Sequence, residues 1–154
     1  MIEATQKTAL ESSGFRDMVA FYLGTNQYAL DIARVRGINK LLPITEVERA
    51  PDYVKGLVNL RGQVVTVLDL NLRLGQASTS VTRDSRIIIV SSEEEGVGLL
   101  VDRLNDVVHA ASDLIEAPPA NLDGIQGDFF VGVYKAAESL IGILDVDELL
   151  KTSE

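Results

Sequence analysis

An internal repeat is the feature that most restricts what this chain can fold into. Sliding residues 53–74 forward by 76 positions lays them without a gap on residues 129–150. The copies share both their apolar positions and the residues that interrupt them: Gly56 with Gly132, Leu68 with Leu144, Asp69 with Asp145 and Leu74 with Leu150. A weaker repeat, with an offset of 69, relates residues 19–38 to 88–107. The repeats predict two similar structural units, although any two β-rich segments match apolar to apolar to some extent by chance.

Short apolar runs rich in Val, Ile and Leu follow one another from Asp17 onward, separated by Gly, Asn, Asp or Pro. This pattern is typical of β-strands. We predict strands at 18–23, 27–32, 35–41, 56–60, 63–68, 86–91, 96–101, 104–109, 129–134 and 139–144. Hairpin turns are predicted at 24–26 and 93–96. Asp69 and Asp145 are each predicted to cap a helix of one or two turns.

The predicted fold is mostly β, with two similar five-stranded small barrels packed together and a few short helices. Closed or nearly closed barrels leave few exposed strand edges, which favours them for units of this size. The predicted segments are a flexible amino-terminal stretch (1–16), a single domain (17–150) made of two halves (17–75 and 84–150) joined by a polar linker (75–83), and a tail (151–154).

Charge is distributed unequally along the chain. The net charge is −9, which opposes nucleic-acid binding because phosphate contacts depend on Lys and Arg. Residues 1–77 carry a net charge of +1 and residues 78–154 a net charge of −10, and six of the nine basic residues of the first part lie between positions 34 and 61. This asymmetry favours oriented docking with charged partners. The alternative interpretation is an ordinary solvated surface.

Residues that would support catalysis or cofactor binding are scarce. The chain has no cysteine, which excludes disulfides, thiolate metal sites and a cysteine nucleophile. His109, the only histidine, is interpreted as a strand residue at a half-buried edge. Carboxylate groups at 145–148 and 93–95 lack a calcium-binding loop, and Gly96-Val97-Gly98 lacks the rest of a dinucleotide fingerprint. We therefore predict no catalytic residues, no metal and no cofactor.

The chain also lacks the features of exported or membrane-inserted proteins. Its amino end has no apolar core of the length that a secretory signal needs, and no uncharged apolar stretch is long enough to span a bilayer. The prediction is a cytoplasmic protein that does not itself enter a membrane.

The tetrapeptide Asn59-Leu60-Arg61-Gly62 lies between two apolar strands. An Arg between a turn-forming Asn and a Gly is presented with little cover, and its planar guanidinium is suited to pair with a carboxylate of a partner. The second repeat copy has Ala137-Glu138 in place of Arg61-Gly62. The alternative is a hairpin turn whose Arg forms an internal salt bridge.

The segment YVKGLVNLRGQVVTVLDLNLRLG resembles the signature core of the CheW-like domain, the coupling protein of bacterial chemotaxis. FYLGTNQYALDIARVRGI is similar to the opening strands of that family, and RIIIVSSEEEGVGLLVDRLNDVV and GVYKAAESLIGILDVDELL are similar to its second half. The resemblance covers nearly the whole chain. It implies two interlocked five-stranded barrels and a non-enzymatic role.

The resemblance also implies partners and a site. Family members join the cytoplasmic tips of chemoreceptors, which are helical hairpins, to the regulatory domain of a CheA-type histidine kinase. The partner-binding residues carried over by the resemblance are Val35, Gly37, Asn59, Leu60, Arg61 and Gly62. Gly37 occupies a position at which many members have an acidic residue. The resemblance further implies association with membrane-bound receptor arrays through these partners.

Two other functions remain open from the sequence. One is an adaptor of a different chemosensory pathway, such as pilus motility or second-messenger control. The other is a small ligand-binding barrel, which would need polar groups inside a pocket. Because the two parts of the chain differ in charge, weak head-to-tail self-association is also expected.

Overall fold

The computed structural model describes residues 14–91, 96–122 and 124–151, and it confirms a mostly β fold with short helices. The described strands are β1 (Phe15–Leu23), β2 (Asn26–Asp31), β3 (Val35–Lys40), β4 (Val54–Leu60), β5 (Gln63–Asp69), β6 (Arg86–Ser91), β7 (Gly96–Val101), β8 (Arg103–Ala111), β9 (Ile115–Glu116), β10 (Asn121–Leu122), β11 (Ile125–Gln126), β12 (Phe130–Lys135) and β13 (Leu140–Leu144). The helices are α1 (Leu70–Arg73) and α2 (Val146–Leu150), and single 3-10 turns lie at Ile32–Arg34, Ser112–Leu114 and Gly127–Phe129.

All ten strands predicted from the sequence are present, with boundaries shifted by up to three residues. Of the segment predicted at 1–16, Phe15 and Arg16 belong to β1, in which Phe15 pairs with Ala111 of β8, and residues 1–13 lie outside the described residues. The turn predicted at 24–26 is confirmed, whereas most of the turn predicted at 93–96 lies outside the described residues. The two-residue strands β9, β10 and β11 were not predicted, because prolines interrupt that region and leave no run of apolar residues.

The strands form two main sheets, and each sheet contains strands from both repeat halves. One has the order β8-β1-β2-β13-β12-β9 and the other the order β3-β6-β7-β5-β4. Antiparallel hairpins join neighbours in sequence, but β2 pairs with β13 and β5 with β7 in parallel. These parallel contacts join segments from opposite halves. Both sheets keep two edge strands in their pairing order, so strand hydrogen bonds do not close them.

The two repeat copies have the same local backbone features. A β-bulge lies between Val54 and Gly56 in the first copy, and between Phe130 and Gly132 in the second. The predicted helix caps are also confirmed. A carboxylate oxygen of Asp69 accepts a hydrogen bond from the amide of Leu72 at 3.4 Å, and one of Asp145 accepts from the amide of Glu148 at 3.2 Å. The repeat at an offset of 76 positions is therefore a repeat of backbone structure as well as of sequence.

The buried apolar residues form three clusters. The largest lies between the sheets and includes Phe21, Tyr28, Leu70, Ile88, Leu99 and Leu149. A second cluster packs around Met18, Ala29 and Ile143 of the six-stranded sheet, and a third around Val58, Val67 and Leu100 of the five-stranded sheet. Each sheet therefore buries residues on both faces, as a barrel wall does.

The segment between β3 and β4 packs against the third cluster through Leu42 and Ile44. It is fixed by reciprocal backbone hydrogen bonds of 2.8 Å between Thr45 and Leu57. This close approach requires Gly56, since a Cβ there would lie 2.2 Å from the carbonyl oxygen of Thr45, and the φ of +150° is itself unfavourable for other residues.

The predicted linker at 75–83 is held by a buried polar network. The Asp69 carboxylate accepts hydrogen bonds from the backbone amide of Thr79 at 3.0 Å and from its hydroxyl at 2.7 Å. The Asn71 amide donates to the Thr79 hydroxyl at 2.7 Å and to Asp102 at 3.0 Å. Asp102 in turn accepts from the amide of Gly24 at 2.6 Å. The network joins the linker to both sheets, so its small polar residues serve a structural role.

Arg73 connects the two repeat copies directly. Its guanidinium nitrogens donate to the carbonyl oxygens of Leu149, Glu148 and Lys151 at 2.8, 3.1 and 3.0 Å, at the carboxyl end of α2. The guanidinium carbon also lies 4.8 Å from the ring centroid of Tyr53 and 4.9 Å from that of Phe129. Tyr53 and Phe129 occupy equivalent positions in the repeat. A cation there satisfies helix carbonyls that have no partner within the helix.

We expect Arg73→Ala to lower the free energy of unfolding by about 2–4 kcal/mol, because it removes three hydrogen bonds from a charged donor and two cation–π contacts. Urea denaturation measures the loss. Arg86→Ala is the matched control, since among the described residues Arg86 donates only to the nearby carbonyls of Arg83 and Ser85. Arg73→Lys should recover only part of the loss, because an ammonium lacks the planar arrangement of donors. Equal losses in the Arg73 and Arg86 variants would contradict this role.

A second contact between the halves depends on pH. The Arg34 guanidinium donates a hydrogen bond of 2.9 Å to Asp147, and this bond lowers the pKa of the Asp147 carboxyl below its ordinary value of 3.8. A carboxyl whose folded pKa is lowered stabilises the fold above its unfolded pKa, and the effect is lost as pH falls through the folded pKa. We expect NMR titration to show a lowered pKa for Asp147 in the wild type and an ordinary one in Arg34→Ala. An unchanged titration in the variant would refute the pairing.

Candidate partner-binding site

The β4–β5 hairpin presents the residues singled out from the sequence. Leu60 pairs with Gln63, so Arg61 and Gly62 form a two-residue turn, with φ angles of 54° and 85°. Two successive positive φ angles are what a type I′ turn requires. The Asn59 side-chain oxygen accepts a hydrogen bond of 2.9 Å from the amide of Gly62. Asn59 and Gly62 therefore shape the turn, and Arg61 is the side chain that the turn presents.

Arg61 is exposed and, within the described ranges 14–91, 96–122 and 124–151, makes no hydrogen bond or ion pair. The internal salt bridge considered from the sequence is thus not formed within those ranges. A left-handed conformation costs a residue with a Cβ roughly 1–2 kcal/mol. The second repeat copy does not share this turn, because Lys135 pairs with Leu140 and leaves a four-residue loop between β12 and β13.

A surface groove of about 330 Å³ begins at this hairpin and crosses the five-stranded sheet. It brings together three of the candidate residues: Gly37 on β3, Leu60 on β4 and Arg61 in the turn. Val35 lies elsewhere, since it is half-buried against the cluster between the sheets. The candidate set therefore divides into groove residues, turn-forming residues and one residue that packs on the core.

The groove also contains residues that the sequence reasoning did not assign to a site. Arg36 lies at its rim and Ile89 of β6 in its lining. Arg36 occupies the bulged position of β3, because Val35 pairs with Val90 and Gly37 with the next residue, Ile89. A bulge redirects the side chain that it displaces. Nothing in the local sequence marks this bulge, because it depends on the register of β3 against β6.

The other polar groups considered from the sequence have structural partners. Asp145 caps α2, Asp147 pairs with Arg34, and Glu148 pairs with Lys151 at 2.8 Å. The group at 93–95 lies outside the described residues. Among the described residues, no group of three or more potential ligands is arranged to hold a metal ion.

His109 belongs to the edge strand β8, as its pattern predicted, but its side chain is 65% exposed instead of half-buried. Its ring stacks on that of Phe15 at 4.3 Å, and its Nδ1 lies 2.5 Å from a carboxylate oxygen of Asp17.

Comparison with known proteins places this geometry in a family. The CheW-like domain matches residues 17–154, nearly the entire chain. The chain belongs to the CheW-like domain family. Chemotaxis protein CheW of Bacillus subtilis is 33% identical over 136 residues, covering 86% of this chain and 85% of that protein. Chemotaxis protein CheW of Klebsiella aerogenes is 27% identical over 153 residues, covering 99% and 92%.

A solved structure supports the same assignment. The crystal structure of scaffolding protein TtCheW from Thermoanaerobacter tengcongensis superimposes with a TM-score of 0.83 at 32% identity, and the match covers 90% of each chain. The fold of this chain is therefore that of a solved CheW scaffolding protein. No helix among the described residues of this CheW-like domain has the length and apolarity needed to cross a membrane.

We expect Arg61→Glu to leave the free energy of unfolding within about 0.5 kcal/mol of the wild type, as is usual for exposed positions with no partner. Thermal unfolding followed by circular dichroism measures this. A large loss of stability would show instead that Arg61 forms an internal ion pair.

Arg61→Asn has a different expected outcome. Asn tolerates the left-handed conformation better than Arg and is common in type I′ turns. We therefore expect the unfolding free energy to rise by about 0.5–1 kcal/mol. Gln63→Asn, in the first position of β5, controls for the introduced side chain and should give no such gain. A loss of stability in Arg61→Asn would contradict the strained turn.

Proposed function

We propose that this chain is a non-enzymatic scaffold that couples chemoreceptors to a CheA-type histidine kinase in bacterial chemotaxis. Membership in the CheW-like family supports this function, as do relatives named chemotaxis protein CheW and a solved relative named a scaffolding protein. The observation that carries the proposal at the level of residues is the exposed Arg61 turn beside a groove with a mixed polar and apolar lining. A guanidinium that has no partner among the described residues and lies beside a surface groove is suited to bind a protein partner.

The fold suits a scaffold because it holds distant surfaces in fixed relation. A continuous apolar cluster fills the space between the sheets, and Arg73 joins the two repeat copies. When a partner binds to one sheet, the other sheet therefore keeps its position relative to it. Coupling then arises when both partners favour the same arrangement of the assembly.

The partners are proposed in more detail as the regulatory domain of the kinase and the cytoplasmic tip of the receptors, which would hold the protein at membrane-bound receptor arrays. The receptor site comprises Gly37, Leu60 and Arg61, supported by Asn59 and Gly62; Val35 remains a candidate residue that packs on the cluster between the sheets. A helix lying in a groove, with apolar anchors along one face, is a common mode of recognition for helical hairpins. The unequal charge of the two parts of the chain supports weak head-to-tail self-association as well.

Calorimetric titration tests the scaffold function. We expect saturable one-to-one binding both to the regulatory domain of the source organism's CheA-type kinase and to a receptor-tip fragment. Arg61→Glu should weaken binding to the receptor tip by about 2 kcal/mol, because it removes charge-assisted contacts and introduces repulsion. Arg83→Glu makes the same charge change at another exposed arginine and should bind as the wild type does.

Absence of binding to both wild-type partners would refute the proposed function. Binding to both partners with no difference between the Arg61 and Arg83 variants would leave the scaffold function in place and refute the assignment of the site.

Self-association has its own measurement. Sedimentation velocity at low salt and high protein concentration should show a concentration-dependent increase in sedimentation coefficient that added salt abolishes. A purely monomeric boundary under those conditions would eliminate head-to-tail assembly.

A further inference from the structure

The groove beside the β4–β5 hairpin has a nearly buried apolar floor beneath a lining whose accessible surface is more polar than apolar. Val65 and Ile89, which line it, are 3% and 7% exposed and belong to the cluster on this face of the five-stranded sheet. Leu60 packs against that cluster from the side. Gly37 leaves the opening uncovered, since a Cβ built at that position meets no atom nearer than Asn39 Oδ1 at 3.9 Å. An apolar side chain of a partner can therefore reach the floor beside Gly37.

The rim of the groove carries two arginines that irregular backbone places there. Arg36 occupies the bulged position of β3, and Arg61 has the left-handed φ of 54°. Neither feature is required for strand pairing, and the second is unfavourable for arginine. Unfavourable backbone conformations concentrate at functional sites. The left-handed conformation of Arg61, next to a second arginine at the same groove, points to a function for the pair of cations.

The two cations lack a counter-charge in the described parts of the chain. No hydrogen bond or ion pair of Arg36 or Arg61 forms within residues 14–91, 96–122 and 124–151. The described lining of the groove contains asparagine and glutamine but no aspartate or glutamate. The surrounding sequence, from Arg34 to Arg61, also holds most of the basic residues of the first half. Among the described residues, the lining of the groove therefore carries a net positive charge, which an anionic group would neutralise.

We infer that this groove binds an acidic helical segment of the receptor tip, with an apolar side chain on the floor and a carboxylate between Arg36 and Arg61, and that Gly37 determines this preference. The inference rests on the proposed function, and it adds the charge of the segment that is recognised. Gly37 contributes in two ways: it leaves the floor accessible, and it keeps the rim free of a carboxylate. An acidic residue at that position would pair with the arginines and repel an acidic partner.

A pair of substitutions at Gly37 separates charge from steric effects. The backbone of Gly37 lies outside the positive-φ region and its Cβ position is open, so both Gly37→Glu and Gly37→Gln should fold. The two side chains have nearly the same shape and differ in charge. We expect Gly37→Glu to bind the receptor-tip fragment at least about tenfold more weakly than Gly37→Gln, because an interfacial like charge is costly.

A second pair of substitutions tests the arginines. Arg36→Glu should weaken binding of the receptor-tip fragment by at least about tenfold. Lys40→Glu is the matched control, since Lys40 is an exposed cation of the same strand but does not line the groove. It should change the affinity by less than about threefold. The affinity of the wild type should also fall as salt is raised from 50 to 500 mM, and the Arg36→Glu variant should show a smaller dependence.

The titrations use the full-length protein and a receptor-tip fragment, together with the same fragment carrying Asn and Gln in place of its Asp and Glu. Loss of wild-type binding to the neutralised fragment would support the inference. Wild-type binding to both fragments with equal affinity would overturn it. Equal affinities of the two Gly37 variants for the receptor-tip fragment would also overturn the inference, and so would equal affinities of the Arg36 and Lys40 variants. In each of these cases the proposed scaffold function would stand. Failure of the wild type to bind either the receptor tip or the kinase would instead refute the proposed function.

The alternative source of the negative charge between Arg36 and Arg61 is a carboxylate of this chain. Glu93, Glu94 and Glu95 directly precede Gly96, which lines the groove. If one of them neutralises the arginines, replacing all three with Gln will strengthen receptor binding by more than about tenfold. That result would overturn the inference that the partner supplies the counter-charge. An unchanged affinity would support it.

Discussion

The parallel pairing of β2 with β13 and of β5 with β7 is the constraint on which the rest of the structure depends. Each contact joins strands from opposite repeat halves, so neither half has a complete sheet of its own. The apolar cluster between the sheets takes residues from both halves, and the Arg73 contacts join the two repeat copies. These contacts together hold the two sheets in one relative position.

This rigidity explains why the unusual conformations at the hairpin and on β3 are tolerated. A bulge and a left-handed arginine are local exceptions on a sheet whose buried faces fix the register of every strand. The conformational free-energy cost of the left-handed Arg61 is small compared with the stabilisation that comes from burying the apolar cluster of the five-stranded sheet. The scaffold can thus hold the strained, exposed Arg61 in a defined direction. A partner that binds this arginine does not have to pay the entropic cost of ordering its backbone.

Much of the fold could be predicted from the sequence because its signals are local. The strands follow from short apolar runs, and the two caps follow from an aspartate after a strand. The type I′ turn follows from Asn59 and Gly62, although an arginine between them is unusual. Arg36 could not be recognised as a groove residue, because its direction depends on a bulge opposite β6. The depth of the groove beside Gly37 depends on Val65 and Ile89, which come from two other strands.

The sequence by itself determined the repeat, the strands, the helix caps and the presentation of Arg61, because each depends on residues within a few positions of one another. Only the tertiary structure decided which half supplies each strand to each sheet, that Val35 faces the core, and that Arg36 and Arg61 share one groove. These features depend on pairing between segments far apart in the chain, and an apolar pattern of period two specifies which face is buried but not which strand lies beside it.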